Sequence, residues 1–339
     1  MVAVSLKKNF FQAEDGIRDL TGGLGIPAEP LFRSGLHRTP EPLAAKGPSP
    51  LLPALQGRLA EVERIEVQRP GQPVLRLARQ DGVWTLPDKA GYPAAAKPVA
   101  DLLRALGEAR EVEARTARVE LHGQLGLADK GEGQGIRVTL QGERLPEQAL
   151  LVGKPGQQGK GQLVRLADQA QSWLVDRRIL MPETELGWLD RRIASIPFDS
   201  VRQVEVTLRQ GKALTVYRDA EGEPNLKVRQ LPAGRKLAYE AAANGMATLF
   251  ANLEFADAAP LDQVQFKDRP LLQFSLQSFA GGQLEGVILA QGEQYWMQLK
   301  RKEKFDGEQV AGRLDWAYRI EAFQYQALAK TLDDLISAK

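Results

Sequence analysis

Val62-Glu63-Arg64-Ile65-Glu66-Val67, followed by Val74-Leu75-Arg76-Leu77-Ala78-Arg79, is the stretch that decides the fold. Apolar and polar residues alternate through it, the mark of strands with one buried face. Pro70-Gly71 turns the chain between the two runs. The pattern returns at one constant offset. Val201, Val204, Glu205, Val206, Leu214, Val216 and Arg218 stand where Val62, Ile65, Glu66, Val67, Leu75, Leu77 and Arg79 stood. Such an echo predicts a duplicated supersecondary unit.

Working outward, Asp81-Gly82 makes a tight turn into Val83-Trp84-Thr85-Leu86, which completes a three-stranded meander. Pro98 opens a helix whose Val99, Leu102, Leu103 and Leu106 fall on one face. Trp84 is expected in the core against that stripe. A short helix over 118–125 ends at Gly126, and strands are predicted over 136–140, 149–153, 162–166 and 172–175. A connector over 181–196 carries Trp188-Leu189-Asp190-Arg191-Arg192. Beyond it, strands are predicted over 201–208, 213–218 and 225–228. A helix with the stripe Tyr239, Ala242, Met246, Leu249, Phe250 and Leu253 follows. Strands over 271–276, 286–290 and 294–299 precede a C-terminal helix carrying Tyr325, Leu328, Leu332, Leu335 and Ile336. The fold class is therefore α+β: two tandem repeats, each of mostly antiparallel β-meanders packed on an amphipathic helix. The modules are 51–196 and 197–339.

Residues 1–50 read differently. Gly22, Gly23, Gly25, Pro27, Pro30, Pro40, Pro42, Pro48 and Pro50 crowd a stretch without periodicity, which predicts linker or disorder. Phe10-Phe11-Gln12-Ala13-Glu14-Asp15-Gly16-Ile17-Arg18-Asp19 resembles the translated read-through of a sequencing adapter. The expectation is that the natural start, with any signal or anchor, is missing.

Composition narrows function mainly by exclusion. The 339 residues carry 45 basic and 43 acidic side chains, a net charge of +2, which gives no field for nucleic acid or a membrane surface. The absence of cysteine removes disulfides, thiolate metal sites and cysteine nucleophiles. His37 and His122 are the only histidines, so a multi-histidine metal site is excluded by counting. Gly153-Lys154-Pro155-Gly156-Gln157-Gln158-Gly159-Lys160-Gly161 invites comparison with a phosphate loop. The spacing fails, Gly161 replaces the Ser or Thr needed for magnesium, and no helix follows. A hairpin loop is expected there instead. Asp190, Asp199, Asp257, Asp262 and Asp333-Asp334 are read as solvated ends and faces, Ser195 and Ser200 lack a histidine partner, and His122 is read as a surface or capping residue. No catalytic residue, cofactor site or metal site is assigned. Of the tryptophans, Trp84, Trp173 and Trp296 are expected to fill sheet–helix cores, whereas Trp188 and Trp316 stand in loop-like contexts.

Leu51–Leu55, Asp81-Gly82-Val83-Trp84, Gly91-Tyr92-Pro93, Leu125-Gly126-Leu127 and Gly187-Trp188-Leu189-Asp190, in that order, resemble the bacterial domain-of-unknown-function family 4340. The resemblance runs from Leu51 to the C-terminus. It implies an extracytoplasmic body, periplasmic in localisation, held by an N-terminal membrane helix absent here. It also implies encoding beside ABC-2-type permeases and auxiliary transport proteins linked to gliding motility. The expected function is a non-enzymatic extracytoplasmic accessory component of an ABC-type transport system, binding protein partners or envelope components. A carbohydrate- or peptide-binding module and a carboxylate-dependent hydrolase are the alternatives. Trp188, Asp190, Arg191 and Arg192 join an aromatic anchor to both charges and are the expected partner-binding residues.

Overall fold

In the computed structural model, which describes residues 47–337, Ile65, Val67 and Leu77 turn to one face and are buried there. The elements they build are β1 (Arg64–Gln68), β2 (Leu75–Gln80), β3 (Val83–Leu86) and the short β4 (Tyr92–Pro93). Helix α1 (Ala96–Glu108) follows, with Val99, Leu102, Leu103 and Leu106 buried as its spacing requires. Next come β5 (Glu111–Ala114), the one-turn helix α2 (His122–Leu125), β6 (Ile136–Gly142), β7 (Leu145–Pro155), β8 (Gln162–Leu166) and β9 (Ser172–Val175). These nine strands form one sheet in the order β4-β3-β2-β1-β6-β7-β8-β9-β5.

After β10 (Arg192–Ala194) the chain builds β11 (Val201–Leu208), β12 (Leu214–Tyr217), β13 (Lys227–Val228), α3 (Gly245–Thr248) and β14 (Leu253–Glu254). It continues with β15 (Asp257–Pro260), β16 (Leu272–Ser278), β17 (Gln283–Gln291), β18 (Gln294–Glu303) and β19 (Trp316–Ile320). The second sheet runs β13-β12-β11-β16-β17-β18-β19-β15. With β4 set aside, the two sheets pass through their strands by the same sequence of connections. The α+β class with large antiparallel sheets holds.

One feature of this order is decisive. β5 lies at the far edge beside β9, yet the next strand, β6, lies mid-sheet beside β1. Residues 115–135 must therefore travel back across β9, β8 and β7. They do so over the face opposite the main core, where Leu125 and Leu127 pack with Leu151, Leu163 and Leu174 as a second apolar cluster. Arg165 on β8, itself buried, fastens the passage. Its guanidinium donates to the carbonyls of Leu127 (3.2 Å) and Gln169 (3.0 Å) and to Asp129 (2.8 Å). In the second half, residues 261–271 make the same passage from β15 to β16.

Several expectations need correction. The second helix is one turn of α-helix continued as a 3-10 turn over Leu249–Asn252, and Tyr239 is 65% exposed outside it. Upstream the bonds are of the i to i+3 kind (Tyr239 to Ala242, Ala241 to Asn244), and α-helical bonding begins only where the Asn244 carbonyl accepts the Thr248 N–H, with the Asn244 side chain accepting the Leu226 N–H. Of the expected stripe Met246, Phe250 and Leu253 are buried, joined by Ala243 and Ala247. The C-terminal helix is split into α4 (Ala322–Leu328) and α5 (Leu332–Leu335), because Thr331 opens a new capping box with Asp334. Trp84 is half-buried beside the core, with the Arg79 guanidinium 5.7 Å from its ring, and Leu86 is the fully buried residue of β3. The reading of residues 1–50 lies, up to residue 46, outside the described residues. From Gly47 the chain is in place: Leu51 donates to the Ala109 carbonyl, and Leu51 and Leu52 are buried.

A single apolar core runs through both sheets. At their junction Tyr92 meets Trp316, Phe255 and Tyr318 edge to face, with centroids 4.6, 5.5 and 6.4 Å apart. Lys89 reaches across to Asp257 at 3.0 Å.

Candidate functional site

The connector expected to bind a partner is woven into this junction. Trp188 is 1% exposed and belongs to the main core. Its carbonyl accepts the Ala95 N–H, and the Asp190 N–H donates to Pro93. β10 pairs with β14 as a two-stranded ribbon, and Gly312 and Phe255 bond to the carbonyls of Ile193 and Arg191. The Asp190 carboxylate accepts Nε and Nη2 of Arg192, each at 2.9 Å, and Arg192 also reaches Glu308 at 2.7 Å. Those bonds hold the Arg192 pKa above its ordinary value. Arg191 donates to the Phe255 carbonyl at 2.8 Å and lies 3.7 Å from Glu254. The four residues are thus brought together, but the indole is enclosed and the charges are mostly spent on one another.

The remaining residues singled out by sequence sit apart. Gly153–Gly161 closes the β7–β8 hairpin, and a Cβ at Gly161 would lie 2.1 Å from the Val175 carbonyl oxygen. That glycine serves close backbone approach. His122 is buried rather than exposed, its Nε2 2.9 Å from the Ala170 carbonyl, where it ties α2 to the loop before β9. Trp296 and Trp316 are buried, and Trp173 is half-buried against the core. Asp199 lies 4.0 Å from Arg218. Asp257 holds Lys89, and Asp334 caps α5. Among the described residues no group of three His, Asp or Glu gathers as metal ligands. No helix among them is long and apolar enough to cross a membrane.

The constant offset paired Arg79 with Arg218 without showing their surroundings, and a second feature escaped the sequence altogether. Arg79 and Arg218 occupy matching places, their N–H groups bonding to the carbonyls of Glu63 (2.8 Å) and Arg202 (3.0 Å). Arg79 also donates to the Ala60 carbonyl. Arg218 is buried over the Phe198 ring at 4.3 Å, and none of its three guanidinium nitrogens has a hydrogen-bond partner among the described residues.

The second feature is a trough on the solvent side of the second sheet, about 190 Å³, lined by Glu205, Thr207, Gln273, Ser275, Glu285 and Lys300. Opposite β17 the register steps from Glu285↔Arg301 to Gly286↔Leu299, so Lys300 is the extra residue of a β-bulge. A bulge re-aims a side chain, and here it brings a lysine among two hydroxyls, one amide and two carboxylates. Glu205 accepts the Thr215 hydroxyl at 3.1 Å, and Glu285 meets Arg301 at 3.3 Å. A register step leaves no signature in the order of residues. Only the polar alternation of β11 and β16 hinted at a solvated face.

Compared with known proteins, residues 84–305 match the model of the family described as Domain of unknown function (DUF4340). No curated protein and no solved structure matches the chain.

Proposed function

The chain belongs to the DUF4340 family, and from that footing we propose that it is a non-enzymatic, extracytoplasmic accessory component of an ABC-type transport system that works by binding. The partner is an ABC-2-type permease or an auxiliary transport protein, and the trough around Lys300 is the face that receives it. The observation that carries this reading is the bulge. It places one lysine, without an ion-pair partner among the described residues, in an open bed of polar side chains on a sheet fixed by its neighbours. Donors and acceptors of both signs on a rigid strand surface suit recognition of a polar protein segment. Extracytoplasmic placement rests on the family resemblance set out above.

Cross-linking and pull-down from native membranes test the proposal, comparing wild type with Lys300→Glu. Wild type is expected to recover a permease or auxiliary transport protein, and the variant, folded to the same melting temperature, to lose most of it. Equal recovery by both proteins removes the trough from the account.

A further inference from the structure

We propose that a second site, distinct from the trough, binds a small amphipathic carboxylate: one anionic head on an apolar body of about six to eight carbons, sized by analogy with small dry cavities. Where the turn between β11 and β12 meets the link between α4 and α5, a cavity of about 200 Å³ opens. Leu208, Ala213, Leu214 and Leu332 give it an apolar lining, and Lys212 and Lys330 line it too. Leu214 is buried, and Leu208 and Leu332 pack against the core, so the walls are fixed before any ligand arrives. An apolar cavity of roughly 150 Å³ stays dry and takes up benzene, so this one accommodates a short alkyl chain or a single ring.

The polar groups decide the head. Gln230, which also lines the cavity, is turned to Thr215: its Oε1 accepts the Thr215 N–H at 2.9 Å and its Nε2 donates to the Thr215 hydroxyl at 3.2 Å. The Asp334 carboxylate, close enough to feel Lys330, is turned to Thr331, whose N–H and hydroxyl both donate to its Oδ2 at 2.7 Å. The lysines with ion-pair partners among the described residues are Lys89, Lys97 and Lys227; Lys212 and Lys330 are not among them. Two lysines among the lining of a mainly apolar cavity favour an anion with a tail. They disfavour a cation, and they leave a small hydrophilic anion without apolar contact.

Isothermal titration with octanoate, octylammonium and acetate, joined to methyl NMR of the leucines, tests the site. Octanoate is expected to bind saturably at one site, shifting the methyls of Leu208, Leu214 and Leu332, while the other two compounds show no saturation. Lys212→Gln combined with Lys330→Gln should weaken octanoate by about tenfold or more without moving the melting temperature. The proposal is overturned if octylammonium binds as tightly as octanoate, if the double variant binds unchanged, if octanoate does not saturate, or if the shifts fall elsewhere. None of these results bears on partner capture through Lys300, so the two readings fail separately.

Discussion

Arg218→Met should make this protein more stable, although it deletes a charge from the folded core. The guanidinium is 1% exposed, its three nitrogens lack hydrogen-bond partners among the described residues, and the carboxylate at 4.0 Å belongs to an Asp199 whose own side chain is 81% exposed. A buried polar group left unbonded costs about 1–3 kcal/mol, and more when it is charged. Stacking on Phe198 returns about 2 kcal/mol at best. Exchanging a buried ion for a hydrophobe of similar length is commonly neutral or stabilising by about 1–4 kcal/mol. Methionine keeps most of the volume and packs on the same ring, so we expect a gain of about 1–2 kcal/mol, or roughly 2–5 °C in Tm. Arg218→Ala should instead lose stability through the cavity it leaves. Arg79→Met is the internal control: that arginine is half-exposed and bonded to Ala60, so its loss should change stability by no more than about 1 kcal/mol. Urea and thermal unfolding of the three variants decide the matter. If Arg218→Met loses 1 kcal/mol or more while Arg79→Met does not, the guanidinium has a partner in solution and the reasoning fails.

Three further outcomes are expected. Trp188→Ala should cost about 3–5 kcal/mol in chemical denaturation, as truncations of enclosed aromatics do; a loss below about 1 kcal/mol would return Trp188 to the surface. Arg165→Gln should strip the Leu127 and Gln169 carbonyls of their donor at a cost of about 2–3 kcal/mol, and speed amide exchange at Ala128 and Gly135. Unchanged exchange there would mean the passage over the sheet holds without it. Burial holds the Tyr92 and Tyr318 phenols above their ordinary value, so the folded chain keeps protons that the unfolded chain releases near about pH 10. Their contribution is complete below that pH and is lost as pH rises further. Tyr92→Phe should therefore flatten the alkaline fall of Tm, and a slope identical to wild type would refute the linkage.

What the sequence disclosed follows from how each element is buried. β1, β2 and β11 each bury one face, so alternation announces them, and α1 buries one stripe, so a period of 3.6 announces it. Glu111-Val112-Glu113-Ala114 and Asp257-Ala258-Ala259-Pro260 bury little and lie at sheet edges, where pairing with a distant strand makes the strand and no local pattern does. The second helix looked longer because its alanines suit a helix, whereas residues 239–244 form successive i to i+3 turns that share the same composition. Trp188 was visible as an aromatic among charges, but an anchor and a plug share that composition, and only the seating of Ala95 and Pro93 against its neighbours separates them. Lys300 was invisible as a site because its exposure depends on a one-residue step against β17.

The return path from each edge strand also sets an order of events during synthesis. Thr116, just past β5, is joined to Ser172 across 56 positions, and Arg319 on β19 donates back to Ala256 across 63. A chain emerging N-terminus first therefore holds β5 without a strand partner, beyond the single bond from Glu111 to Ser49, until β9 has been made, and β15 waits likewise for β19. The segment over the first sheet has nothing to rest on until β7 and β8 exist. Each sheet thus completes at its last strand, and a ribosome stalled shortly before Ser172 would leave an open strand edge and a stranded apolar segment together. These are the species that pair with the wrong chain. The window of greatest vulnerability is written into the connectivity, and it comes twice per molecule.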